Sequence, residues 1–187
     1  MDAFSYLSVL LSIILGLAIA QLLTGAGRLL QARSRVVVYW PTLGWLGLLL
    51  MIDVQTWWSM FAMRAHHDWN FFAFLVVLVQ PTILYLLATL VLPDFAGPGL
   101  VDLRENYYSQ SRWFFGLFVL LLAASITKDV VLSGRLPNLL NLGAQMIFLV
   151  GSAFGALTRR EWYHKAAVPV IAIMFAAYIA ALFARLG

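Results

Sequence analysis

Asp53 is the residue whose type and position in this chain most directly suggest chemistry. It is the only acid that stands well inside a long run of apolar residues. A carboxyl group in such surroundings can carry a proton, form a hydrogen bond or bind a cation. An ionised carboxylate at the centre of an apolar span costs about 3 kcal/mol even on the most lenient scale, so we expect either a functional use or a partner in a neighbouring helix.

Five further polar residues stand inside apolar runs, and together with Asp53 they form a series of candidate site residues. They are Gln21, Gln80, Asn141, Gln145 and Tyr178. With a rise of about 1.5 Å per residue, Asn141 is level with Asp53, and Gln21 lies roughly 5 Å from the opposite edge. The other three fall near the middle of their runs. If the side chains converge, they line a polar cleft for a small solute, an ion or protons. If they do not, they form interhelical hydrogen bonds worth about 0.6 kcal/mol each.

The dipeptide Gln80-Pro81 lies at the centre of its apolar run. Pro81 cannot donate a hydrogen bond to the carbonyl of Val77 and is expected to kink a helix there. The freed carbonyl, beside the Gln80 amide, could coordinate a cation or water, as broken helices in carriers do. An ordinary kink, satisfied by a neighbouring group, is the alternative.

The sequence lacks the residues and motifs that other kinds of chemistry require. Cysteine is absent, and there is no glycine-rich phosphate loop, Ser/His/Asp set or pair of carboxylates within the apolar runs. His66 and His67 are predicted to lie about a bilayer away from His164, so they cannot share one haem or metal ion with it. The sequence therefore predicts no cofactor, no metal site and no enzymatic activity.

The elements that must position these residues are six long apolar runs. Hydrophobic residues make up 63% of the 187 positions and charged residues only 11%, which excludes an ordinary soluble domain. Each run has about 20 residues, enough to cross the hydrocarbon core of a bilayer as a helix. We predict an all-α membrane bundle, one transmembrane domain over 1–187, with spans at 4–23, 39–60, 69–92, 113–132, 136–157 and 166–186.

The distribution of basic residues predicts the orientation of the bundle. Eight of the twelve Lys and Arg residues fall in or beside the links after the first, third and fifth spans, and four fall on the other side. By the positive-inside rule, those three links are cytoplasmic and both termini are outside. The net charge of +4 lies at membrane edges, so it predicts contact with lipid headgroups and no nucleic acid partner.

The longest link, predicted as a cytoplasmic loop at 93–111, divides the chain into two groups of three spans. An odd number of spans per group allows two inverted halves, the arrangement of many transporters.

Small residues recur at intervals of four in the first span (Ser8, Ser12, Gly16, Ala20, Thr24), the fifth (Gly151, Gly155) and the sixth (Ala172, Ala176, Ala180, Ala184). We interpret these faces as packing surfaces within the chain, with contact to a partner as the alternative.

Several short segments resemble a group of small bacterial inner-membrane proteins to which no activity is assigned. They are Phe4-Ser5-Tyr6-Leu7, Gln21-Leu22-Leu23, Val54-Gln55-Thr56-Trp57-Trp58 and Arg112-Trp113-Phe114. The resemblance covers most of the chain. It implies a bacterial plasma membrane location and no particular reaction.

Two functions are favoured by the sequence, ahead of a third, an enzyme that acts on lipid. The first is a small permease for a solute, an ion or protons, with a polar cleft formed by the series that begins at Asp53. The second is a non-catalytic membrane protein that assembles with another membrane protein, or with its own copies, through the small-residue faces.

Overall fold

A computed structural model describes residues 3–65, 69–95, 97 and 99–183, and within them the chain is all-α, as predicted. The six α-helices of this part are α1 (Ala3–Gln31), α2 (Trp40–Ser59), α3 (Phe71–Leu90), α4 (Leu103–Ser133), α5 (Leu139–Leu157) and α6 (Glu161–Phe183). Each helix overlaps one predicted span. His66, His67, Ala184 and Arg185 lie outside the described residues.

Four of these helices are long and apolar enough to cross a membrane. The qualifying segments are Phe4–Gln31, Phe71–Leu90, Leu103–Ser133 and Glu161–Ala180, in α1, α3, α4 and α6. Helix α2 carries Asp53, Gln55 and four tryptophans, which lower its mean hydropathy. Helix α5 has 19 residues and is also apolar, although its fully described stretch, Asn141–Leu157, is shorter than the four segments above. Length and composition therefore support four spans, and six remains a prediction.

Local capping explains where the helices depart from the predicted boundaries. The Asp102 side chain accepts hydrogen bonds from the backbone N–H groups of Arg104 and Glu105, so α4 begins inside the segment predicted as a loop at 93–111. The same helix ends at Gly134, whose φ of 67° suits glycine. Asn138 caps α5 in the same way through the backbone N–H of Asn141, so that helix begins after the predicted position 136.

The links after α1, α3 and α5 meet at one end of the bundle, which we call the three-link end. Val36 and Val37 form a two-residue parallel β pair with Val101 and Asp102. Arg35 donates to the backbone carbonyls of Phe95 and Gly97 in the link after α3. Arg104 Nη2 lies 2.8 Å from Glu161 Oε2, which joins the starts of α4 and α6. The predicted grouping of these links on one side agrees with this arrangement; which side faces the cytoplasm stays a prediction.

Helix contacts follow the cyclic order α1–α3–α4–α5–α6–α2, and α2 also touches α3 and α4. Trp45 of α2 is fully buried against the rings of Phe114, Phe115 and Phe118 of α4. The two halves of the chain pair their helices differently, since α1 packs mainly along α3 whereas α4 packs along α3 and α5.

The small-residue face of α1 is not its packing surface. The buried residues of this helix are Leu7, Leu11, Leu15, Ala18 and Leu22. Ser12, Gly16, Ala20 and Thr24 are exposed. The interpretation of this stripe as packing within the chain is therefore wrong, because the leucine seam, at spacings of four and three, provides a larger apolar surface for contact with α3.

The glycines of α5 make close contacts with two different helices. A Cβ at Gly155 would lie 3.0 Å from Phe115 Cδ1 of α4, so glycine permits this approach. The Gly151 carbonyl accepts a hydrogen bond from the hydroxyl of Tyr163 in α6. Ala176 and Ala180 of α6 are exposed. The fifth and sixth helices thus meet near Gly151, while α5 packs mainly along α4.

Candidate functional site

Asp53 lies on the buried face of α2. That face repeats at intervals of three and four residues through Trp45, Leu49, Asp53, Thr56 and Met60. The Asp53 side chain is 0% exposed, and neither carboxylate oxygen has a hydrogen-bond partner among the described residues. A buried carboxyl without a partner is costly, because it has lost its hydration and gained no hydrogen bond in return.

A small cavity lies one helical turn beyond Asp53. Among its lining residues are Thr56 of α2, Gln80 and Pro81 of α3, and Lys128 of α4. Its volume is about 10 Å³, which is about the space that one water molecule needs. The cavity therefore brings polar groups from three helices together around a water-sized space.

Gln80 and Lys128 form the polar contact of this cavity. Lys128 Nζ donates a hydrogen bond of 2.8 Å to Gln80 Oε1, which ties α4 to α3. The ammonium group of Lys128 thus points into the bundle towards Gln80 and not outwards to the membrane edge. Helix α3 continues through Pro81, whose side chain is buried.

The other predicted site residues lie elsewhere. Gln21 is exposed and lines a separate groove between α1 and α3. Asn141 is exposed in the first turn of α5, and Tyr178 is exposed on α6. Gln145 is half-buried on α5, and its Oε1 is buried with no hydrogen-bond partner among the residues described. Of the predicted series, only Asp53 and Gln80 lie at or next to the cavity.

A second polar cluster lies at the three-link end, and sequence reasoning missed it. His164 of α6 is fully buried. Its Nε2 is 3.0 Å from the carbonyl oxygen of Thr158, and its Nδ1 is 3.0 Å from the hydroxyl of Tyr107 in α4. Trp45 Nε1 donates to the same hydroxyl at 3.3 Å. The cluster connects α2, α4 and α6.

The hydrogen-bond donors and acceptors of this cluster determine which nitrogen of His164 carries the proton. The Thr158 carbonyl can only accept, so His164 Nε2 carries the proton and donates it. Nδ1 then accepts from the Tyr107 hydroxyl, which in turn accepts from the indole N–H of Trp45. Every polar group is satisfied when the imidazole is neutral, and this satisfaction is typical of a structural network.

The described residues form no evident metal-binding site. No three His, Asp or Glu side chains come together there as a set of ligands. Asp53 is buried without a hydrogen-bond partner among the described residues, and the carboxylate of Glu161 is engaged by Arg104 and Lys165. The groups at the cavity are suited to hydrogen bonding and proton transfer.

Comparison with protein-family models, with curated proteins and with solved structures gives no match for this chain. Only the sequence and structure of this chain therefore indicate its class. Several long apolar helices, four of them long enough to cross a bilayer, are compatible with a membrane protein.

Proposed function

We propose that this chain is a six-span protein of a bacterial inner membrane that conducts protons through Asp53 and the adjacent cavity. The observation that carries the proposal is the Asp53 carboxyl, fully buried and without a hydrogen-bond partner among the described residues. A carboxyl that only joined two helices would have its partner in place. One that exchanges a proton with transient water needs no fixed partner.

The size of the cavity favours protons over larger solutes. A space of about 10 Å³ admits about one water and no organic solute. A single water beside Thr56 and Gln80 has hydroxyl and amide groups to hold it. Because a proton passes only between groups within hydrogen-bond reach, the proposal requires the Asp53 carboxyl, one helical turn away, to move within reach of this water when it exchanges its proton.

The charge of Lys128 favours protons over metal cations. Its ammonium group lines the same cavity and is held by Gln80 Oε1 at 2.8 Å. Like charges in an interior of low dielectric repel strongly, so a sodium or potassium ion beside this group is disfavoured. A proton on Asp53 is not disfavoured in this way, because it becomes the O–H of a neutral carboxyl group and leaves no separate ion beside the ammonium.

Proton flux into vesicles tests the proposal. Purified protein is reconstituted into liposomes that contain a pH-sensitive dye, and a potassium diffusion potential drives proton entry. We expect the natural protein to acidify the vesicles faster than protein-free vesicles. Asp53→Asn is expected to lower the rate to that of protein-free vesicles, because the amide cannot release a proton.

Glu105→Gln is the matched control, since it also removes one carboxylate but from an exposed position in the first turn of α4. It is expected to keep the natural flux. Natural protein without flux, or Asp53→Asn with undiminished flux, would remove Asp53 from any transport mechanism.

The second candidate function, assembly with a membrane partner or with further copies, has one specific observation in its favour. Ser12, Gly16, Ala20 and Thr24 form an exposed stripe along α1, and small residues allow a second helix to approach closely in lipid. Absence of flux from the natural protein, together with stable association of copies in detergent, would favour this role over proton conduction.

A further inference from the structure

A polar groove lies between the C-terminal parts of α1 and α3, near the three-link end. Its polar lining residues are Gln21, Thr24, Arg28, Thr89 and Asp94, and Leu92 lines its apolar side. The groove has a volume of about 250 Å³, so it can hold a group much larger than a water molecule. It is separate from the cavity beside Asp53, which α1, α2, α3 and α4 enclose.

Two opposite charges stand side by side in this groove. Arg28 Nη1 is 3.8 Å from Asp94 Oδ1, and the two side chains are 58% and 74% exposed. A contact of this length between exposed groups contributes about 0–1 kcal/mol. A ligand phosphate can therefore replace the Asp94 carboxylate beside Arg28 at little cost.

We propose that the groove binds the headgroup of an ethanolamine phospholipid, with its phosphate on Arg28 and its ammonium on Asp94. The guanidinium matches phosphate oxygens through paired N–H donors. A primary ammonium donates up to three hydrogen bonds, and the carboxylate accepts them. In this headgroup two carbons separate the phosphate from the ammonium, a spacing similar to that of the two protein charges.

The remaining polar groups of the groove suit the same ligand. The Thr89 hydroxyl already donates to the carbonyl of Leu86, so its oxygen is left to accept from an ammonium group. Thr24 and Gln21 lie one and two turns before Arg28 on α1, and they can donate to phosphate or ester oxygens. Headgroups with a trimethylated amine lack these N–H donors, and headgroups without an amine leave Asp94 facing a phosphate.

Neighbouring apolar residues favour a lipid over a soluble phosphate compound. Leu17 of α1 is exposed one turn beyond Gln21 on the same face of the helix and offers a surface for acyl chains. Leu92 approaches α1 so closely that a Cβ at Gly25 would lie 2.9 Å from its Cδ1. The apolar floor of the groove is therefore held close to the charged pair. This proposal depends on the membrane location and not on proton conduction.

Lipid retention by the purified protein tests the site. The detergent-solubilised protein is mixed with equal amounts of phosphatidylethanolamine, phosphatidylcholine and phosphatidylglycerol with identical acyl chains, and bound lipid is counted by native mass spectrometry. We expect the ethanolamine lipid to be retained about tenfold over the other two, the effect of one charge-assisted hydrogen bond. Arg28→Gln and Asp94→Asn are each expected to abolish this preference.

Two controls separate headgroup recognition from general charge. Arg112→Gln and Glu105→Gln remove exposed charges from α4, outside the groove, and are expected to leave the preference unchanged. The double variant Arg28→Asp/Asp94→Arg keeps one positive and one negative charge in the groove but exchanges their positions, so it is expected to lose the preference.

Three results would overturn the proposal. They are equal retention of the three lipids, stronger retention of phosphatidylglycerol, and a preference that survives in Arg28→Gln. Free phosphoethanolamine that binds as tightly as the lipid would overturn the choice of a lipid. Failure of these tests would not affect Asp53, because the proton flux assay uses variants outside the groove.

Discussion

Replacing Trp45 with alanine is expected to lower the free energy of unfolding by about 3–5 kcal/mol. The indole is 0% exposed, and it meets the rings of Phe114, Phe115 and Phe118 at centroid distances of 5.1–5.6 Å. Its loss leaves a large cavity between α2 and α4 and removes the hydrogen bond to Tyr107. Thermal unfolding of the purified protein in detergent, followed by circular dichroism, measures the effect.

Two further variants identify the source of that loss. Trp113→Ala removes an indole that is 72% exposed on α4 and is expected to change stability little. Trp45→Phe keeps an aromatic ring but removes the N–H donor, so we expect a loss of about 1 kcal/mol from the hydrogen bond, plus a packing loss smaller than that of alanine. A Trp45→Ala protein as stable as Trp113→Ala would contradict the described core.

Replacing Asp53 with leucine is expected to stabilise the protein while it abolishes proton flux. Leucine has the same branching as aspartate, with two methyl groups in place of the two oxygens that lack partners among the described residues. Removing a buried polar group without a partner relieves a cost of about 1–3 kcal/mol. A rise in the thermal midpoint in detergent, together with loss of flux, is the expected result.

Glu105→Leu is the control for this substitution, because it replaces an exposed acid with the same residue. It is expected to change stability by less than about 0.5 kcal/mol. A marked fall in stability of Asp53→Leu would mean that the carboxyl group holds two helices together, and the proposed role in proton conduction would lose its main support. Stabilisation at the expense of activity is typical of functional residues.

The all-α fold class and the approximate helix positions could be predicted from the sequence, because an apolar run of about 20 residues has few stable conformations other than a helix. The early start of α4 has a local signal in the sequence. Asp102 is a residue type that favours the N-cap position, and it stands immediately before the helix begins. Boundaries set by side-chain caps are therefore readable where both partners are close in sequence.

The faces of the helices could not be predicted as well. Along α1, the leucine seam and the small-residue stripe both recur at intervals of about four, so periodicity alone does not say which one packs. The structure buries Leu11 and Leu15 and exposes Ser12 and Gly16. The choice depends on α3, whose matching surface is more than 40 residues further along the chain.

Polar contacts between distant segments could not be predicted from sequence patterns. Tyr107 is 62 residues from Trp45 and 57 from His164, and Lys128 is 48 residues from Gln80. No local motif records such pairings, because each depends on how whole helices rotate against one another. The burial cost of Asp53 could be predicted, since the cost of a carboxyl group in an apolar run is intrinsic to the residue.

The proposal of six spans, which places Asp53 inside the bilayer, can be tested directly because the chain has no cysteine. Single cysteines are introduced for Ser34, Phe61, Leu136 and Leu157, which are exposed and uncharged and flank α2 and α5. A maleimide that cannot cross membranes is applied to intact and to permeabilised bacterial spheroplasts. We expect positions 61 and 136 to react in intact spheroplasts, and positions 34 and 157 only after permeabilisation. If positions 34 and 61 react from the same side, α2 does not cross the membrane and the account is contradicted.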